Sequence, residues 1–342
     1  MVEPISSIDE CDADWLSAAL GIDITIDRLE PIGEGVGLLG EVHRVRLGSI
    51  DGPRSVIVKL GSATNAAVAL HFGYFEREWG AYRDLLEQAT IATPRCLYNQ
   101  LVNDRPCLVL EDLAEHRAGD QVRGITEPQA QAAVDLAAEL HATFWNRAEL
   151  RDLTWMPGPD DPRINGYGEL FEMMWPDFLA GPGRDTPPAR RDAAEAAMTH
   201  FDEVCRSFAD EPITAVHGDF RLDNLLFSPT GEAAAIDWQL TARGRGPYDL
   251  AFLLAGSAET EFRRRHERPL LERYHARLAA AGVVDYPLSA CWDDYRRAHI
   301  MNLPNPITAA VAVDAGNARG REMLRLNAQR ALAAVADLWP NR

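Results

Sequence analysis

The first third of the chain alternates apolar and polar positions. Ile22, Ile24 and Ile26, with Leu29 beyond, predict a strand over 22–30. The alternation returns over 42–47 (VHRVRL), and 55–60 (SVIVKL) predicts another strand. Two more apolar runs, 96–101 and 106–110, flank the polar turn Asn103-Asp104. The early strands are joined by a glycine-rich stretch, 33–40, and by the turn Asp51-Gly52-Pro53. A short helix over 11–20, capped by Asp12 or Asp14, precedes them. Between the strands, Tyr74, Phe75, Trp79, Tyr82, Leu85 and Leu86 recur at helical spacing and predict a helix over 74–88.

Beyond 113 the period becomes mostly helical, over 127–147, 189–208, 248–256, 260–281, 289–302 and 316–338. The stretch 151–188, rich in Pro, Gly, Asp and aromatics, predicts an irregular insertion with one short helix at 167–179. Strands first and helices after predict an α+β chain of two lobes. The expected division is an antiparallel-sheet N-lobe over 1–113 and a helical C-lobe over 114–342. No internal repeat is evident.

Composition adds limits. The chain has 342 residues, 46% hydrophobic and 25% charged, enough for a large core. A formal net charge of −18 repels nucleic acid and anionic membranes, so neither is expected as a partner. The cysteines (Cys11, Cys96, Cys107, Cys205, Cys291) are scattered and odd in number, with no CxxC pair. They argue against a zinc or redox motif and for a reducing compartment. The acidic start has no positively charged segment followed by an apolar run, and no run of about 18 apolar residues occurs. A cytoplasmic protein without signal peptide or membrane span is expected.

The chemistry concentrates in His217-Gly218-Asp219-Phe220-Arg221-Leu222-Asp223-Asn224, which lies between two apolar runs. A further short run then delivers Asp237-Trp238. An aspartate, an asparagine five residues on and an aspartate thirteen beyond that form the spacing of a magnesium-dependent phosphoryl-transfer site. Asp219 is the candidate general base for an attacking hydroxyl. Asn224 and Asp237 are the candidate Mg²⁺ ligands, both hard oxygen donors. Each alone reads as a turn or cap residue; all three at this spacing are hard to obtain by chance. Asp223 is a helper or a surface carboxylate, and His217 is structural, its ring bonded to nearby backbone.

Gly35-Val36-Gly37-Leu38-Leu39-Gly40 has the form G-x-G-x-x-G. It reads as a flap over nucleotide phosphates, as a plain hairpin turn, or as the dinucleotide fingerprint of an oxidoreductase. The last needs a helix directly after Gly40, whereas 42–47 alternates like a strand. Lys59 lies nineteen residues after Gly40 in an apolar strand. It is either an exposed edge charge or the cation that neutralises the nucleotide phosphates. As the latter it needs an anionic partner: Glu78, with Glu76 the alternative on another helix face. Both glutamates being solvated stays open.

These segments resemble the aminoglycoside phosphotransferase and choline kinase-like branch of the protein-kinase-like fold. The resemblance rests on His217-Gly218-Asp219 with Asn224, on Ile236-Asp237-Trp238-Gln239, and on Gly246-Pro247-Tyr248-Asp249-Leu250-Ala251. It spans roughly 30–255. It implies a bilobal fold and transfer of a phosphoryl group from ATP, with Mg²⁺, to a hydroxyl of a small molecule. Gly35, Gly37, Gly40, Lys59 and Glu78 would then serve the nucleotide. The stretch 108–113, including Glu111 and Leu113, resembles the hinge whose backbone would meet adenine. Asp249 would brace the catalytic loop from a helix. Protein kinases usually carry Arg where Gly218 stands. Only twelve residues separate Asp237 from Asp249, and no Ala-Pro-Glu follows, which leaves no room for a protein-docking activation segment. Within the family, 108–113 and 236–239 resemble the ecdysteroid-kinase-like and CHK-like subgroup more than the drug-resistance enzymes. A catalytically silent nucleotide-binding relative is the alternative, although every residue expected to act is present.

The acceptor is less legible. The resemblance implies that the insertion lines its pocket. Trp155, Met156, Tyr167, Phe171, Met173, Met174, Trp175 and Phe178 would suit an apolar or steroid-like alcohol. The interleaved Asp160, Asp161, Glu169, Glu172 and Asp177 would suit an amino sugar or a choline-like cation, with Trp155 or Trp175 as cation–π faces. Simple packing of the aromatics against the helical lobe is the reading preferred for most of them. Arg263-Arg264-Arg265-His266 reads as a solvated, salt-bridged face, and Pro304-Asn305-Pro306 as a break between two C-terminal helices.

Overall fold

The computed structural model describes residues 2–32, 40–48, 52–61, 66–313 and 316–339. A five-stranded antiparallel sheet is built from β1 (Ile26–Pro31), β2 (Gly40–Leu47), β3 (Ser55–Gly61), β4 (Cys96–Val102) and β5 (Arg105–Glu111), in the order β1-β2-β3-β5-β4. Asn103 and Asp104, both with positive φ (50° and 60°), make the two-residue turn between β4 and β5. β1 starts at Ile26, not at 22. The ladder with β2 ends at Ile26 opposite Leu47; beyond it Gly48 N still donates to Thr25 O at 3.0 Å, while Ile24 N turns away to Ser17 Oγ at 3.1 Å.

Strand alternation divides the sheet into two faces. Val56, Val58 and Leu60 of β3 pack with Val45, Cys107 and Val109 beneath the N-terminal helix Ala13–Leu20, whose Leu16 is buried there. Asp12 caps that helix by accepting the Trp15 N–H at 2.8 Å. Ile57 and Leu108 turn to the opposite face. There the helix Tyr74–Gly80, continued as a π-turn over Ala81–Leu85, adds Tyr82 and Leu85 to the main core. Gly80 has a specific reason to be glycine: a Cβ would lie 2.3 Å from the Trp155 ring.

The rest is helical, apart from short strands that shape the site. These are β6 (Arg117–Ala118), β7 (Thr214–Val216), β8 (Leu225–Phe227), β9 (Ala233–Ala235) and β10 (Ala242–Gly244). The helix expected over 127–147 ends at Thr143, and the chain turns at Asn146, whose φ is 50°. The one expected over 189–208 is two, Pro188–Met198 and Phe201–Phe208. Thr199 Oγ1 donates to Ala196 O at the break, competing with the helical ladder. Pro304 does not merely interrupt; it occupies the first turn of a helix, Pro304–Ala312. Arg263 corrects the solvated-face reading. It is buried, paired with Glu267 at 2.6 Å and with Asp337, while Arg264 stays outside. Among the described residues no helix is long and apolar enough to cross a membrane.

Candidate active site

Lys59 shares the inward face of β3 with Ile57, opposite Val42 on one side and Leu108 on the other. Only 8% of it is exposed, and its Nζ donates to Glu78 Oε1 and to Asp237 Oδ1, each at 2.8 Å. Glu78 is buried, whereas Glu76 is exposed, so the helix face decides between them. Burial opposes the charge of Lys59, but Asp237 and Glu78 outweigh it and hold its pKa above the ordinary lysine range. Burial raises the pKa of Glu78 despite Lys59. At Asp237 burial also raises, yet Lys59 prevails and the carboxylate is held low. The ammonium therefore clips the sheet to a carboxylate 178 residues away.

β7 leads into the loop and ends at Val216. His217 N and Gly218 N donate to the two oxygens of Asp249 at 2.8 and 3.0 Å. Asp249 is fully buried in the helix Pro247–Ser257 and also meets His141 Nε2 at 3.1 Å. His217 accepts the Asp219 N–H on Nδ1 (3.3 Å), which leaves Nε2 to donate to Ile236 O at 3.0 Å. Gly218 adopts φ +83°, and a Cβ there would fall 1.9 Å from Leu240 O. Glycine is thus required by both backbone and space.

β8 and β9 pair antiparallel, Leu225 opposite Ala235, and Ile236 N donates to Asn224 O at 3.0 Å. The open end of this hairpin brings Asn224 beside Asp237, although thirteen residues separate them. Asn224 Nδ2 donates to Asp219 Oδ2 at 2.8 Å and to Asp219 O at 3.0 Å. That orients the amide, leaving Oδ1 for another partner. Asp237 is a non-glycine residue at φ 66°, a conformation retained only where the surroundings impose it.

Gly40, Lys59, Glu78, Glu111, Leu113, Asp219, Asn224 and Asp237 all line one cavity of about 400 Å³ between the sheet and the helical part. Gly35 and Gly37 lie outside the described residues. Gly40 opens β2, a strand and not a helix, which removes the dinucleotide-fingerprint reading. Along 108–113, Glu111 N donates to Arg95 O at 2.9 Å, and Leu113 O accepts from His116 N at 2.9 Å.

Other residues entered the site unannounced. Arg221 lines the cavity and donates to Asp219 Oδ2 at 3.1 Å; its place two residues after Asp219 was the available signal. Arg77, between the two glutamates, is buried and donates to Thr241 O at 2.9 Å and to Leu240 O. Nothing in its spacing marks it. Asp223 is not a surface carboxylate: its side chain is 3% exposed and accepts from Gln121 N (2.8 Å) and Arg319 (3.0 Å). Of the insertion's aromatics, Phe171, Trp175 and Phe178 stack within the main core. Trp155 is buried with Nε1 on Asp84 at 2.7 Å, and Trp175 Nε1 reaches Glu195 at 2.9 Å. Neither offers a free face to a cation. Asp160, Glu169, Glu172 and Asp177 are exposed, and Asp161 pairs with Arg163.

A sequence model of the ecdysteroid kinase-like family matches residues 39–282. No curated protein matches the chain in sequence. In fold the chain is similar to choline kinase from Streptococcus pneumoniae, at 16% identity and TM-score 0.56, over 95% of this chain and 97% of that one. It is also similar to spectinomycin phosphotransferase solved with ADP and spectinomycin (12%, TM-score 0.59, 98% and 100%). A third similar structure is an aminoglycoside 2′-phosphotransferase solved with GDP (15%, TM-score 0.58, 92% and 96%). At these identities the likeness establishes the fold, a bilobal protein-kinase-like α+β architecture.

Proposed function

We propose that this chain, which belongs to the ecdysteroid kinase-like family, is a cytoplasmic enzyme that transfers the γ-phosphoryl group of ATP to a hydroxyl of a small molecule. Residues 1–113 would form the nucleotide lobe and 114–342 the lobe carrying the catalytic loop and the acceptor. The observation that carries this reading is the convergence of Lys59, Glu78, Asp219, Asn224 and Asp237 on one cavity, joined by hydrogen bonds of 2.8 Å. Two of the similar structures hold ADP and GDP, which supports a purine nucleotide here.

Each residue has a definable task. Lys59, kept charged by Glu78 and Asp237, would neutralise phosphate oxygens. Gly40 begins β2 close against Leu60 O, and with Gly35 and Gly37 would cover the phosphates. The backbone at Glu111 and Leu113 would meet the base; the Leu113 carbonyl is engaged by His116, which leaves its N–H to do so. Asn224 Oδ1 and Asp237 fit Mg²⁺, being hard oxygen donors on one wall. Among the described residues no three His, Cys, Asp or Glu gather as a metal cage. Asn224 Oδ1 and Asp237 would hold the magnesium, which would supply positive charge against that of the phosphates. Asp219 would orient the acceptor hydroxyl and take its proton as oxygen bonds to phosphorus and ADP departs with the electrons of the broken bond.

The test is Asp219→Ala with ATP, Mg²⁺ and a panel of alcohols. Nucleotide binding should persist while transfer falls by about 10²–10⁴-fold. Undiminished turnover would overturn the assignment.

A further inference from the structure

A second cavity, about 40 Å³, adjoins the first across Leu240, which lines both, and Gly218, the neighbour of Asp219, forms part of its wall. Tyr167, Phe208 and Tyr248 make it largely apolar. Its charged lining consists of Arg77, Arg243 and Arg245, with no Asp or Glu. Of the three, Arg245 alone has an acidic partner among the described residues, Asp294 at 2.7 Å, and its Nε is buried without a hydrogen bond. Arg77 donates to the Thr241 and Leu240 carbonyls, and Arg243 to Met156 O. Among the described residues neither lies within ion-pair distance of a carboxylate; Asp160 and Asp161 act on Arg243 from farther away.

A guanidinium does not shed its proton on burial. Two guanidiniums in an apolar wall with no carboxylate in contact therefore favour an anion. They do so in a chain of net charge −18, where carboxylates are plentiful elsewhere. The cavity has room for one small group, not for a whole ligand.

We propose that this cavity is an anion subsite, and that the alcohol presented to Asp219 carries a carboxylate-type group within a few bonds of its hydroxyl. Planar guanidiniums match a carboxylate in two-point geometry. An ammonium group would meet guanidiniums and no lining carboxylate here. The inference rests on the phosphotransferase reading for its hydroxyl, but not for its anion.

The test uses matched triplets on phenyl, cyclohexyl and linear alkyl bodies. 3-Phenyllactate, its methyl ester and 2-amino-3-phenylpropan-1-ol form the phenyl set. Binding to the full chain is measured calorimetrically with and without Mg²⁺ and a non-hydrolysable ATP analogue. The carboxylate members should bind at least tenfold more tightly than their esters and amines. Arg243→Gln, at the less buried of the two unpaired arginines, should remove that preference; Arg77→Gln should do the same if it folds. Equal or tighter binding of the amines, no carboxylate binding, or an unchanged preference in Arg243→Gln would each overturn the proposal. Failure of the nucleotide analogue to bind would instead count against the phosphotransferase reading, because the carboxylate series is also measured without it.

Discussion

Asn224 donates its side-chain N–H to Asp219 Oδ2 at 2.8 Å, so the candidate metal ligand holds the candidate base. One amide faces both ways: its nitrogen aims the carboxylate, and its oxygen is left for a cation. This coupling gives the five-residue spacing a physical purpose beyond bringing two polar groups near each other.

Asn224→Asp exchanges that donor for an acceptor. Two carboxylates at this distance resist joint ionisation. Transfer should fall by about 10²-fold or more, and the acid limb of the kcat/KM profile should move to higher pH. A pH–rate series on the variant and the parent measures both; coincident profiles would separate Asn224 from the base.

The charge of Lys59 depends on its partners. Glu78→Gln keeps the shape and removes one of two anions, leaving Asp237 in place. A cost of about 1–3 kcal/mol in stability is expected, with nucleotide binding weakened. Glu76→Gln, at an exposed position two residues away, should change neither. Denaturant titration and nucleotide calorimetry compare the pair.

Gly218 and Gly231 both have positive φ, +83° and +92°, but only Gly218 faces an obstruction. Gly231→Ala should cost about 1–2 kcal/mol for its left-handed backbone alone. Gly218→Ala adds overlap with Leu240 O and should cost more, with loss of transfer as the loop shifts. Equal destabilisation of the two would refute the steric account.

His299 supplies a pH test away from the site. Burial, with the Arg263 charge second, pulls its pKa from 6.5 down to about 3. The unfolded chain takes up this proton first, so the stability His299 contributes is full above about pH 6.5. It declines as pH falls toward 3. By pH 4.5 the loss should be roughly 2–3 kcal/mol. His299→Gln should flatten that part of the stability–pH curve, as followed by thermal melts.

Much of the fold was legible because strand and helix periods are local. The sheet strands and the insertion helix Tyr167–Ala180 follow from apolar spacing. Departures arise where long-range contacts intervene, as in the late start of β1 and the burial of Arg263, or where a side chain competes with the local ladder, as at Thr199.

The order of residues alone supplies the chemistry available: a lysine in an apolar strand, an aspartate and asparagine five apart, and a second aspartate after a short strand. Those spacings are consequences of turn and hairpin geometry, which neighbouring residues dictate. Packing between distant elements sets Glu78 rather than Glu76 against Lys59, and makes Asp223 and most insertion aromatics internal. Packing also gathered Arg77, Arg243 and Arg245 beside Gly218, only the last of them in contact with an acid, Asp294. These outcomes depend on which faces meet when the sheet closes on the helices, and pairing across 178 residues leaves no trace in local spacing.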